Sequence, residues 1–176
     1  MNEGMGTEDK TLQLDASCIR TGTSMGRANR RLYIDIDGVL LGKANPSDSA
    51  IVLARHAEEF LELAIKHFNC FWLSTHTSNG DSSGASKVLG PYADSHVMGL
   101  VENIAAAKWN TLKTEALDVT ADFYWIDDSP LAVEIDFLKR HDLIERWIHA
   151  DTRNHPDDLE RVTSLLSAIT QTDGGR

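Results

Sequence analysis

The chain has 176 residues, 41% of them apolar, and a formal net charge of −10 from 17 basic and 27 acidic residues. That length supports one domain with a real core, and that charge argues against non-specific nucleic-acid binding. No run approaches the ~18–20 apolar residues of a membrane span, and the polar start MNEGMGTEDK reads as neither a signal nor a transit segment; with only Cys18 and Cys70 no disulfide scaffold or zinc site is expected, and a cytoplasmic protein is.

Residues 1–29, rich in Gly, Thr, Ser and Asn without an apolar period, read as a flexible tail. LYIDI (32–36) reads as a buried strand broken by acids at Asp35 and, just beyond it, Asp37. The segment 51–68 puts Val52, Leu53, Ala57, Phe60, Leu61, Ala64, Ile65 and Phe68 on one helical face. CFWLS (70–74) is a second strand, with Cys70 and Trp72 as core residues, and 82–93 a short helix broken at Gly90-Pro91. Residues 94–109 are expected to form a short strand followed by a helix, and 110–117 a helical turn or two. DFYWI (122–126) is a third buried strand. A helix follows over 128–141, with Ser129 as N-cap and Pro130 in its first position. RWIHA (146–150) is a last strand, and 154–169 a closing helix with Pro156 and acids near its start. Residues 171–176 read as a tail, leaving one domain over 30–170.

Strands apolar on both faces and separated by helices predict a parallel sheet covered on both sides, an α/β architecture. In such sheets the site lies at the carboxyl ends of the strands. Asp35 and Asp37 end the first strand, Ser74 and Thr75 the second, Asp127 and Asp128 the third, and Lys113 lies between the last two. Clustered carboxylates repel unless a cation sits among them, and all-oxygen ligands suit Mg²⁺. A lysine and a hydroxyl beside such an ion complete an anion site. The set asks for a phosphoryl group, attacked by a carboxylate to give an aspartyl-phosphate.

These residues resemble the phosphatases of the haloacid dehalogenase superfamily. DIDGV matches the first motif of that family (DxDx[VT]), the Ser of FWLS the second, Lys113 the third and YWIDDSP the fourth, in order and spacing over about residues 31–130. The resemblance implies a three-layer Rossmann-like fold with Asp35 as nucleophile and Asp37 as general acid and base. It gives Mg²⁺ to Asp35, the Asp37 carbonyl, Asp127 and Asp128, phosphoryl oxygen to Ser74, and charge compensation to Lys113. Thr75 and Lys108 compete with Ser74 and Lys113 for their roles, and Asp136 is the available further downstream acid. The short connections leave no room for a large cap domain, and in this family open sites accept large substrates. The expected partner is a phosphorylated small molecule, phosphoprotein or nucleic-acid end, the last because similar compact layouts occur in haloacid-dehalogenase-like domains linked to RNA repair. Two other readings use the same residues: a receiver-like phospho-signalling domain and a non-catalytic binding protein of the same fold. A receiver places its acid pair on the first strand, whereas here the pair comes last.

Overall fold

A computed structural model describes residues 30–172. In chain order it contains β1 (Arg31–Ile34), β2 (Leu41–Gly42), β3 (Val52–Leu53), α1 (Ala57–His67), β4 (Asn69–Trp72), α2 (Ser83–Leu89), α3 (Ser95–Val101), β5 (Ala105–Ala106), β6 (Phe123–Asp127), α4 (Ala132–Arg140), β7 (Trp147–His149) and α5 (Asp158–Thr172). Single 3₁₀ turns lie at Thr75–Thr77, Lys113–Ala116 and Ile144–Arg146.

The strands pair in the order β5-β4-β1-β6-β7, every pair parallel. Alternation along β1 separates two cores. Leu32, Ile34 and Ile36 point to one face, where they meet Phe60, Leu61 and Ala64 of α1, Val97 of α3, and Leu159, Val162 and Leu166 of α5. Tyr33 points to the other face and joins Phe123 and Trp125 of β6 and Leu138 of α4. Each fully buried aliphatic side chain contributes roughly 1.5–3 kcal/mol. The sheet is therefore flanked by helices on both faces, as the doubly apolar strands predict. Cys70, Trp72 and Trp125 all lie in the core.

From β1 the chain moves outward through β4 to β5, then returns to β6 on the other side of β1. That reversal opens a crevice at the carboxyl ends of β1 and β6. Only the antiparallel β2–β3 hairpin lies between β1 and α1, and only α2, α3 and β5 separate the Thr75 turn from the Lys113 turn. Among the described residues no helix is long and apolar enough to cross a membrane.

Three expectations about elements are corrected. The helix expected from residue 51 starts at Ala57, because Val52 and Leu53 pair with Gly42 and Leu41, and His56 takes a left-handed conformation (φ 61°) that interrupts helix geometry. Over 94–109 the order is helix then strand. The Asp94 carboxylate accepts the Val97 N–H at 2.9 Å and caps α3, while Ala105 and Ala106 pair with Phe71 and Trp72 at the sheet edge. The helix expected from residue 128 starts at Ala132, because the Ser129 N–H donates to Asp127 Oδ1 and Glu134 caps the helix in place of Ser129. The tail expected over 1–29 lies outside the described residues, as does that over 171–176 apart from its first two residues, which close α5.

Candidate active site

β1 and β6 run level: Ile34 is opposite Ile126, and the Asp35 N–H donates to the Ile126 carbonyl at 2.9 Å. Asp35 and Asp127 are thereby brought to the same height at the strand tips, both buried. The Lys113 ammonium stands between them, 2.9 Å from Asp35 Oδ2 and 2.6 Å from Asp127 Oδ2. Oxygens of Asp35, Asp127 and Asp128 lie within 4.8 Å of one another, a spacing a single cation can bridge.

Three carboxylates face the Lys113 ammonium and, at Asp128, the Arg153 guanidinium, a surplus of one negative charge in a setting where burial is the largest influence on titration. Burial, then the Asp35 charge, push Asp127 up to about 6 against the pull of Lys113 and the Ser129 N–H. Asp128 is raised by burial and Asp35 too, with Arg153 opposing. Burial alone lowers Lys113, but Asp35 and Asp127 outweigh it and hold the ammonium above the usual lysine value. A buried acid that resists ionising beside a lysine that resists neutralising marks a site short of positive charge.

Asp37 stands outside this trio and is half exposed. His76 Nε2 lies 2.8 Å from its Oδ2, and Arg153 Nη2 lies 3.6 Å from its Oδ1. Directly after Asp37, Gly38 turns the chain with φ +75°, where a Cβ would lie 2.1 Å from Asp128 Oδ2. Only glycine permits that approach. Thr152 pins the turn, its N–H donating to the Gly38 carbonyl at 2.8 Å and its Oγ1 at 3.0 Å.

Ser74 follows β4 at the same edge of the sheet; it is fully buried, and its hydroxyl has no partner among the described residues. Thr75, the competing hydroxyl, is exposed. Lys108, the competing lysine, is exposed beside Gly80, whereas Lys113 meets both acids. Asp136 forms no part of the cluster; in the described structure its carbonyl accepts from Arg140.

Arg153, whose Nη1 lies 3.5 Å from Asp128 Oδ2, belongs to no motif in the sequence. The strand-tip rule that found the other residues, extended past β7, points to it. Glu134 belongs to none either: its carboxylate accepts the Lys113 backbone N–H at 2.5 Å. Nothing local announces a bond between residues 21 positions apart. A cleft of about 430 Å³ is lined by Asn79, Lys87 and His76, the residue that contacts Asp37, and one of about 690 Å³ runs along β7 and α5 without touching any motif residue. The chemistry, not the larger cleft, locates the site. No known family model matches the chain, and no curated protein matches it.

Proposed function

We propose that this chain is a Mg²⁺-dependent phosphomonoester hydrolase of the haloacid dehalogenase type, acting through an aspartyl-phosphate on Asp35. The observation that carries this reading is the Lys113 ammonium held between Asp35 and Asp127 at the tips of adjacent parallel strands, with Asp128 completing the trio. The donor set suits the ion: oxygens only, close enough to share one cation, with a negative charge left over after Lys113 and Arg153. Asp35, Asp127 and Asp128 would hold it together with the Asp37 carbonyl. Bound there, Mg²⁺ supplies charge neutralisation for the incoming phosphate.

The side chains divide the remaining work. Lys113 holds Asp35 Oδ2, which leaves Oδ1 to attack phosphorus. As the Asp35–phosphorus bond forms, the bond to the leaving oxygen breaks, its electron pair departs with that oxygen, and Asp37 delivers a proton to it. Asp37, now a carboxylate, takes a proton from a water whose oxygen attacks phosphorus. The Asp35–phosphorus bond breaks, releasing inorganic phosphate and restoring both acids. A positioned acid and base contributes roughly 10²–10⁴ in rate. The buried Ser74 hydroxyl, without a protein partner, is the donor available to a phosphoryl oxygen. The open cleft lined by His76, which contacts Asp37, suits large phosphorylated substrates.

An Asp two residues from the acceptor favours hydrolysis over a lasting phospho-signal. The test is hydrolysis of an aryl phosphate by the purified chain in Mg²⁺. Activity is expected to vanish with EDTA and in Asp35→Asn, and to fall steeply in Asp37→Asn. Full activity in Asp35→Asn overturns the mechanism. A panel of sugar phosphates, nucleotides, phosphopeptides and end-phosphorylated oligonucleotides then ranks substrates.

A further inference from the structure

Glu134 is a buried carboxylate that the chemistry above does not use. It lies in the first turn of α4 and is 2% exposed. One of its oxygens accepts the Leu131 N–H at 2.9 Å, the ordinary reach of an acid in this position back to its own helix start. Its other oxygen leaves the helix and accepts the Lys113 backbone N–H at 2.5 Å. Capping α4 needs only the first bond.

The second bond falls at a decisive place. The N–H groups of Asn110, Thr111 and Leu112 all turn inward to Glu115, within the same loop. The Lys113 N–H instead crosses to α4. On the other side, the loop after β6 is held by the Ser129 N–H on Asp127 Oδ1 and by the Leu131 N–H on Glu134. One carboxylate therefore ties the backbone beneath the ammonium to the loop that follows the acid this ammonium touches. The charge of Glu134 is met by the two N–H groups and by the N-terminal end of α4. In a neutral amide one of these two oxygens becomes an NH₂ donor, which faces an N–H and breaks that bond.

We propose that Glu134 is a positioning residue that, through the Lys113 backbone, sets where the ammonium stands between Asp35 and Asp127. Its catalytic consequence rests on the phosphohydrolase reading above; its structural consequence does not. Misplacing a catalytic group by about 1 Å can cost ~10² in rate.

Two measurements on the full chain test it. The first is amine acylation by an acetylating reagent, read by mass spectrometry at Lys113 with exposed Lys108 as internal reference. In the wild type Lys113 is protected; in Glu134→Gln its labelling is expected to rise about tenfold while the melting temperature stays within a few degrees. The second is a kinetic cycle on an aryl phosphate in Mg²⁺. Glu134→Gln is expected to lower kcat by ~10–100-fold with KM little changed, and Lys113→Ala/Glu134→Gln to be no slower than Lys113→Ala. Unchanged protection of Lys113 in Glu134→Gln, or a double variant that suffers both losses in full, overturns the proposal. If Glu134→Gln does not fold, Glu134→Asp, with its shorter arm, is read by the same labelling. A wild type that hydrolyses no phosphate ester defeats the phosphohydrolase reading alone, and the labelling still decides the role of Glu134.

Discussion

Asp127→Asn is expected to make the metal-free protein more stable near neutral pH while removing a ligand of the proposed metal. Asp127 is buried with its carboxyl raised from 3.8 to about 6, so the folded state holds this proton more tightly than the unfolded chain does. Its contribution to stability is full below the unfolded value and is lost as pH rises through about 6. Integrating between the two values, this carboxyl costs about 1 kcal/mol at pH 4.5, where the fold keeps it mostly protonated, and about 3 kcal/mol at pH 7.5, where it is ionised. Asparagine keeps the shape and the acceptor for the Ser129 N–H, but sets an amide against the Lys113 ammonium, a loss of about 1 kcal/mol. The metal-free variant should therefore match the wild type at pH 4.5 and exceed it by about 2 kcal/mol at pH 7.5. At about 2–4 °C per kcal/mol for a chain of this size, that is a rise of about 4–8 °C in Tm. Urea unfolding in EDTA at both pH values measures it. Adding Mg²⁺ at about 100 times its Kd should then raise the wild type by about 2.7 kcal/mol and the variant far less. A variant less stable than the wild type at pH 7.5, or a gain equal at both pH values, refutes the electrostatic account.

Two further perturbations probe the scaffold. Gly38→Ala forces a Cβ onto Asp128 Oδ2 at a left-handed backbone position; thermal melts should show a loss of about 1–3 kcal/mol, and the stabilisation by Mg²⁺ should shrink with it. Asp94→Ala removes the side-chain cap of α3, whose acceptor bonds the Val97 N–H. Urea unfolding should show a loss of about 1 kcal/mol, with aryl phosphatase activity unchanged because α3 forms no part of the carboxylate site.

Much of this protein is written locally. The runs around Leu32, Trp72 and Trp125 are apolar on both faces, which predicts buried parallel strands, and acids closing two of them mark the edge where a site belongs. Other signals were ambiguous because two structures satisfy one pattern. Val52 and Leu53 fit the helical period of α1 as well as the hairpin they form, and Ala105-Ala106 reads as helix until β4 supplies a partner.

Which lysine and which hydroxyl serve the site was undecided in the sequence, because a motif counts residues and does not measure distance. The fold separates them: Lys113 reaches two carboxylates while Lys108 faces solvent, and Ser74 is buried while Thr75 is not. The contacts of His76 and Arg153 with Asp37, and of Glu134 with Lys113, join residues 39, 116 and 21 positions apart. The kinds of chemistry available, and the order in which the strands present them, were already legible along the chain. Their distances, their burial and the unbalanced negative charge among them exist only once parallel strands stand side by side, since electrostatic energy depends on separation in space and on the water excluded there.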